Sequence, residues 1–196
     1  LKETKSFPQA SVDQIDHLTE DILDRLFNPQ LKNIEINKKG MVVGQVQSGK
    51  TANYIGLICK AADAGFNFII VLAGIHNNLR SQTQTRLDEG FLGFDTMFGR
   101  RAEANKSTKI GVGLIHGFED AVANSITTSA EKGDFTRRGA DSLGINFETP
   151  TPILLVIKKN VSVLNRVIAW LQTVSPDRKI DSKALLMVDD EADNAS

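Results

Sequence analysis

Residues 44–51, Gly44-Gln45-Val46-Gln47-Ser48-Gly49-Lys50-Thr51, constrain this chain more than any other stretch. They fit the pattern G-x-x-x-x-G-K-[ST], in which a glycine loop turns its backbone N–H groups inward around phosphate oxygens. The apolar run Met41-Val42-Val43 ahead of the loop has strand character, and the run from Thr51 to Ala64 reads as a helix. That order is the setting the pattern requires, because a helix N-terminus adds partial positive charge where the phosphates sit. Gly44 and Gly49 allow turn geometry and a close approach that a Cβ would obstruct. Gly44, Gln45, Val46, Gln47, Ser48, Gly49, Lys50 and Thr51 therefore form the expected nucleotide cradle. Lys50 is expected to reach the terminal phosphates, and Thr51 to offer its hydroxyl to Mg²⁺.

The 196 residues are 41% hydrophobic and 24% charged, enough for one α/β domain with a sizeable core. A net charge of −1 leaves any basic surface local. Cys59 is the only cysteine, which excludes an internal disulfide and a cysteine-based zinc site. No apolar run reaches membrane-spanning length and no signal peptide opens the chain, so a reducing, cytoplasmic setting without a membrane partner is expected. The sequence starts without Met and stops just after an acidic motif, and so reads as a piece of a longer protein.

Ser11 is expected to begin a helix over 11–27, with Gln14 completing a capping box and Ile15, Leu18, Ile22, Leu23 and Leu26 along one face. Phe68–Ala73 and Ile153–Ile157 are continuous apolar runs, as in strands buried on both faces of a parallel sheet. Helices are expected over 76–87 and 161–174, and a last strand over 184–188. The fold class is thus α/β: a RecA-like lobe over 40–196, its mostly parallel sheet flanked by helices on both faces, with an N-terminal helical extension over 1–39. The stretch 90–150 is irregular and reads as an insertion decorating the sheet, with a strand over 109–116 and a short helix over 120–129. Trp170 and Cys59 are expected to pack in the core, and His17 to lie on the surface.

The last strand runs into Asp189-Asp190-Glu191-Ala192-Asp193. Ligands of parallel α/β sheets bind at the carboxyl ends of strands, so this run and the glycine loop should share one edge. Asp190 is the expected Mg²⁺ partner, with Asp189 the alternative, and Glu191 the general base acting on water.

Asp190-Glu191-Ala192-Asp193 resembles the DEAD motif of superfamily-two helicases and translocases. The segment Val71 to Gln82 is similar to the motif in that superfamily that touches nucleic-acid backbone. The resemblance implies DNA contacts from Asn77, Arg80 and Gln82, and from Lys158 and Lys159 at the next strand's end. Val46 to Thr51, Lys158-Lys159-Asn160 and Asp189 to Asp193 together resemble the Z-one domain family of endonuclease-linked ATPases that accompany restriction–modification systems. Membership would imply a DNA-dependent ATPase that uses ATP and Mg²⁺, with separate nuclease and methyltransferase partners. It would also imply a second lobe, carrying an arginine finger, outside this sequence. No glutamine motif stands upstream of the loop at the spacing of DEAD-box proteins.

Three other readings fit less of the sequence. Pro176-Asp177 with Asp181-Ser182-Lys183 faintly resembles a metal-nuclease pattern, but the gap is too short for two carboxylates on neighbouring strands. A small-molecule kinase would share the glycine loop but needs an acceptor pocket. A nucleotide-gated interaction module would need nothing further.

Overall fold

The structure is a computed structural model and describes residues 8–31, 36–43, 49–100, 108–118, 123–145, 147–175, 183–190 and 192. It is an α/β fold with a four-stranded, all-parallel sheet in the order β2-β3-β1-β4. In chain order the regular elements are α1 (Gln9–Asp24), α2 (Lys50–Ala64), β1 (Phe66–Ala73), α3 (Asn77–Leu87), β2 (Asn124–Ser125), α4 (Arg137–Ser142), β3 (Ile153–Ile157), α5 (Val161–Val174) and β4 (Ala184–Asp190).

The apolar runs became the central strands because burial on both faces rewards side chains of either parity. All five residues of β3 are buried. One face of the sheet packs on α2 and on Leu87 of α3, with Ile58, Ala61, Phe66, Ile69, Val71 and Leu186 in that layer. The other face packs on α5 and on Ala140 of α4, with Phe68, Ile70, Leu155, Val163 and Trp170 in contact. Trp170 is the expected packing residue, its ring 5.5 Å from Phe135 and 5.7 Å from Phe147. Cys59 lies at the margin of the first layer, and burial pushes its thiol up to about 11.

The N-terminal helix is present and lies outside α2. Ile15 and Thr19 pack over Gly56, where a Cβ would stand 3.2 Å from Ile15 Cγ2. Lys60 ties the two helices through Asp16 at 2.9 Å and Glu20 at 3.1 Å. The expected capping box is not used. The helix starts two residues before Ser11, and the amides of Ser11 and Val12 donate to the Pro8 carbonyl. His17 lies on the surface, 3.3 Å from Asp21.

Three local expectations are corrected. Met41, Val42 and Val43 form no strand and are exposed. A strand requires a ladder partner, and among the described residues none pairs with them or with the outer edge of β4. The stretch 109–116 is no strand beyond one antiparallel bridge from Lys109 to Phe94, and 111–114 forms a 3-10 turn. Gly111 has φ +53° there, and a Cβ would collide with the Glu89 carbonyl. Within 120–129, residues 124–125 form a strand instead of a helix. Asn124 and Ile126 donate to the carbonyls of Pro152 and Leu154, so the insertion extends the sheet.

Buried polar groups fix that extension. Gln84 donates to Asp88 Oδ1 at 2.9 Å and to Ser125 Oγ at 3.2 Å, and accepts from Thr127 Oγ1 at 2.7 Å. Thr127 Oγ1 in turn accepts the Val156 amide at 2.8 Å. Asp88 also accepts from the Thr96 amide at 3.0 Å and hydroxyl at 2.6 Å. Among the described residues no helix is long and apolar enough to cross a membrane.

Burial pushes the Asp88 carboxyl up to about 6, against the opposing pull of the Gln84 and Thr96 hydrogen bonds. Its folded pKa lies above its unfolded one, so the folded chain holds a proton that the unfolded chain has released. Stability from this group is therefore present on the acid side and is lost as pH rises through about 6. Urea unfolding from about pH 4 to about pH 7 should show a steeper fall for the parent than for Asp88→Asn. Equal slopes would sink the assignment.

Candidate functional site

Of the cradle, Gly44 to Ser48 lie outside the described residues, as does Glu191. The described part begins at Gly49, whose φ of +75° is the left-handed conformation that favours glycine. Gly49 caps α2, its carbonyl accepting from the Asn53 amide at 3.1 Å. Lys50 is the first helical residue and is exposed, and Thr51 follows it, half-buried. Thr51 Oγ1 accepts a hydrogen bond from Arg86 Nη1 on α3 at 3.0 Å.

One turn further along α2, Tyr54 is nine-tenths buried, and among the described residues its hydroxyl has no partner within ordinary hydrogen-bond limits, with the hydroxyls of Thr51 and Thr83 close enough to act on it. That hydroxyl is pushed up to about 12, by burial first and by the Asp190 carboxylate second. Neighbouring Thr51 and Thr83 hydroxyls and the Arg86 cation pull it the other way. Tyr54 thus marks a small region where the start of α2, the end of β4 and Arg86 meet.

Strand parity separates the two aspartates of β4, because successive side chains point to opposite faces. Ala184, Leu186 and Val188 pack in the α2 layer, so Asp190 shares that face and Asp189 has the other. Asp189 pairs with Lys159 Nζ at 2.7 Å. The Lys159 amide also donates to the Gly74 carbonyl at 2.7 Å, which joins the ends of β1, β3 and β4. Asp190 is the carboxylate on the side of Thr51.

The residues singled out for nucleic acid fare unequally. Arg80 is fully buried, its Nη2 donating to the Ala130 carbonyl, while Nε and Nη1 have no partner among the described residues. Burial lowers its pKa, and Asp134 and Asp88 oppose that shift. It braces the 124–134 segment and is not offered to a phosphate on the surface. Lys159 is likewise withdrawn, its side chain 8% exposed and paired with Asp189. Asn77 and Lys158 are joined to each other, Lys158 Nζ donating to Asn77 Oδ1 at 2.9 Å. Gln82 is exposed on α3. Asn160 is the N-cap of α5, accepting from the amides of Ser162 and Val163 at 3.0 and 3.3 Å.

Sequence reasoning missed Tyr54 and Arg86. Tyr54 lies three residues after Thr51, hence on the same helix face, which is a signal the spacing carries. Arg86 had none, because its approach to Thr51 depends on how α3 packs beside α2. Among the described residues no group of three or more His, Cys, Asp and Glu is placed to hold a metal. Thr51 and Asp190 nonetheless suit Mg²⁺, which takes one or two protein oxygens, completes its shell with phosphate and water, and needs no protein cage.

No family model, no curated protein and no solved structure matches this chain in comparison.

The Lys159–Asp189 pair is half shielded, whereas Arg137–Asp141 at 3.4 Å is exposed at both ends. A double-mutant cycle on Lys159→Ala and Asp189→Ala should give a coupling of about 1 kcal/mol or more, against about 0.5 kcal/mol or less for Arg137 and Asp141. Coupling no larger than that of the exposed pair would remove Lys159 and Asp189 as the clasp of the strand ends.

Proposed function

We propose that the chain is the ATP-binding and hydrolysing lobe of a DNA-dependent ATPase, serving a restriction–modification or related DNA-processing system. One observation carries the reading. Thr51, in the glycine-loop motif, and Asp190, in the acidic motif, are 139 positions apart in sequence, yet α2 and β4 bring them to one face of the sheet, where Tyr54, one turn after Thr51, packs in the same layer as Val188, two residues before Asp190. The all-parallel sheet supports it further, since the carboxyl ends of such strands are where ligands bind.

In this reading the loop amides of 44–49 and the start of α2 hold the phosphates, and the exposed Lys50 ammonium pairs with their terminal oxygens. Thr51 and Asp190 hold Mg²⁺, which when bound neutralises charge building on the phosphates. Glu191 takes the proton of the attacking water. Asp189 is left to Lys159 as a structural partner. DNA contact, if made by this lobe, falls to Lys158, Asn77 and Gln82, because Arg80 and Lys159 are occupied. Separate nuclease and methyltransferase components rest on the family resemblance alone.

Nucleotide titration and turnover assays on the full chain, with and without DNA, test the proposal. Lys50→Ala should weaken Mg·ATP binding and turnover together. Glu191→Gln should spare binding and abolish turnover, because the amide keeps the shape and loses the base. Parent-like turnover by Glu191→Gln would move the base elsewhere along the acidic run. Parent-like binding by Lys50→Ala would end the nucleotide reading itself. Each phosphate contact contributes about −0.9 to the slope of log affinity for duplex DNA against log salt. Lys158→Ala should therefore flatten the slope by about one contact, while Arg80→Lys should leave it unchanged.

A further inference from the structure

We infer that Arg86 is a phosphate-contacting residue of the same site, a cation supplied by this lobe that distinguishes a triphosphate from a diphosphate. The inference rests on the nucleotide reading above and extends it to a residue outside both motifs.

Three observations carry it. Arg86 stands in the last turn of α3, exposed, and donates through Nη1 to Thr51 Oγ1 at 3.0 Å. A structural arginine on a surface helix ordinarily pairs with a carboxylate, and among the described residues none pairs with Arg86. Its one bond to Thr51 uses one of five N–H donors, so the planar fork that matches phosphate oxygens two at a time remains available.

The second observation is Tyr54. Its side chain is nine-tenths buried, and among the described residues the Thr51 and Thr83 hydroxyls act on its hydroxyl, which ties it to the residue that Arg86 holds. That hydroxyl lies among Thr51, Thr83, Arg86 and Asp190 at the start of α2. A polar ligand at the start of α2 would meet the exposed Arg86 cation and the helix N-terminus together.

The third is compatibility. A threonine hydroxyl has two lone pairs, so Thr51 can accept from Arg86 with one and face a cation with the other. Arg86 need not leave Thr51 for the site to fill. Holding Thr51 keeps the guanidinium beside the helix start, and a contact already oriented costs less ordering on binding.

The test is a comparison of affinities. The full chain carrying Arg86→Ala, Arg86→Lys or no change is titrated with Mg·ATP and with Mg·ADP, and thermal unfolding is recorded for each. Arg86 is exposed, so the unfolding midpoints should agree. Arg86→Ala should weaken ATP about tenfold or more, the worth of a charged hydrogen bond, and change ADP by less than about twofold. Arg86→Lys should recover part of the loss, since the charge remains and the fork does not. An equal fall for both nucleotides would make Arg86 a support for Thr51 only and overturn the inference. No change for either nucleotide would overturn it too. Lys50→Ala is the internal control. If it also binds both nucleotides like the parent, the fault lies in the nucleotide reading; if it loses both, the fault lies with Arg86 alone.

Discussion

The side chain of Gln84 holds the architecture around the site together. Its amide spends both ends inside the protein, joining α3 to the Asp88 turn, to Ser125 and to Thr127. Through Thr127 the network reaches the backbone of β3. An amide this deeply buried tolerates little displacement, because each unmet bond costs a desolvation penalty that water cannot repay. The rotation of α3 about its axis is therefore fixed. Arg80 falls inward on one side of Gln84, and two positions beyond Gln84 Arg86 falls outward, toward Thr51. The same constraint that withdraws one arginine from solvent delivers the other to the start of α2.

Chain direction shows from which edge of the sheet a strand feeding α2 with the same hand would have to enter. The passage from β1 to β2 runs through α3, on the α2 face of the sheet, and the return from β2 to β3 runs through α4 on the opposite face. The passage from β3 to β4 runs through α5, also on the opposite face and in the opposite direction across the sheet. All three agree with one hand of crossover, and parallel crossovers are almost always right-handed. A strand feeding α2 and then β1 has its helix on the same face as α3, so it must enter from the same direction, which is the β4 side. Among the described residues β4 ends the sheet on that side, and Leu185 and Met187 on it are exposed.

This geometry also shows what the sequence could and could not disclose. Runs such as Ile153–Ile157 are legible because two-sided burial demands apolar residues at every position. Gly65, with φ +113°, ends α2 where a glycine after an apolar helix should. The helix expected over 120–129 is not formed in its described part because the inward residues there are Ser125 and Thr127, polar groups buried against Gln84. Polarity there signals a satisfied network, and only the partner side chains, some forty residues away, reveal it. Arg80 was misread for the same reason, since an arginine in a polar helix gives no sign that its guanidinium lies under a loop. The two chemical motifs were legible as motifs; the link between them was not, because it passes through Tyr54 and α3.

Which side chains of β1 face α2 depends on a single residue near the start of that strand. Phe66 pairs with Ala184, but Phe68 pairs with Leu185, so β1 carries one extra residue, Asn67, in this ladder. Its side chain accepts from the Ala184 amide at 3.1 Å, standing in for the backbone where the register slips. Consequently Phe66 lies in the α2 layer and Phe68 in the α5 layer, a change of parity within two residues. A bulge of this kind flips every later side chain relative to the neighbouring strand. Carried forward, it sets Leu72 against Asp189 and Ala73 against Asp190. Without the bulge, Phe68 and Ile70 would turn toward α2, whereas β4, which alternates regularly from Ala184, would keep Asp190 on that face. The bulge thus sets which side chains of β1 line each layer, while the unbroken alternation of β4 leaves Asp189 to Lys159 and turns Asp190 to the α2 face.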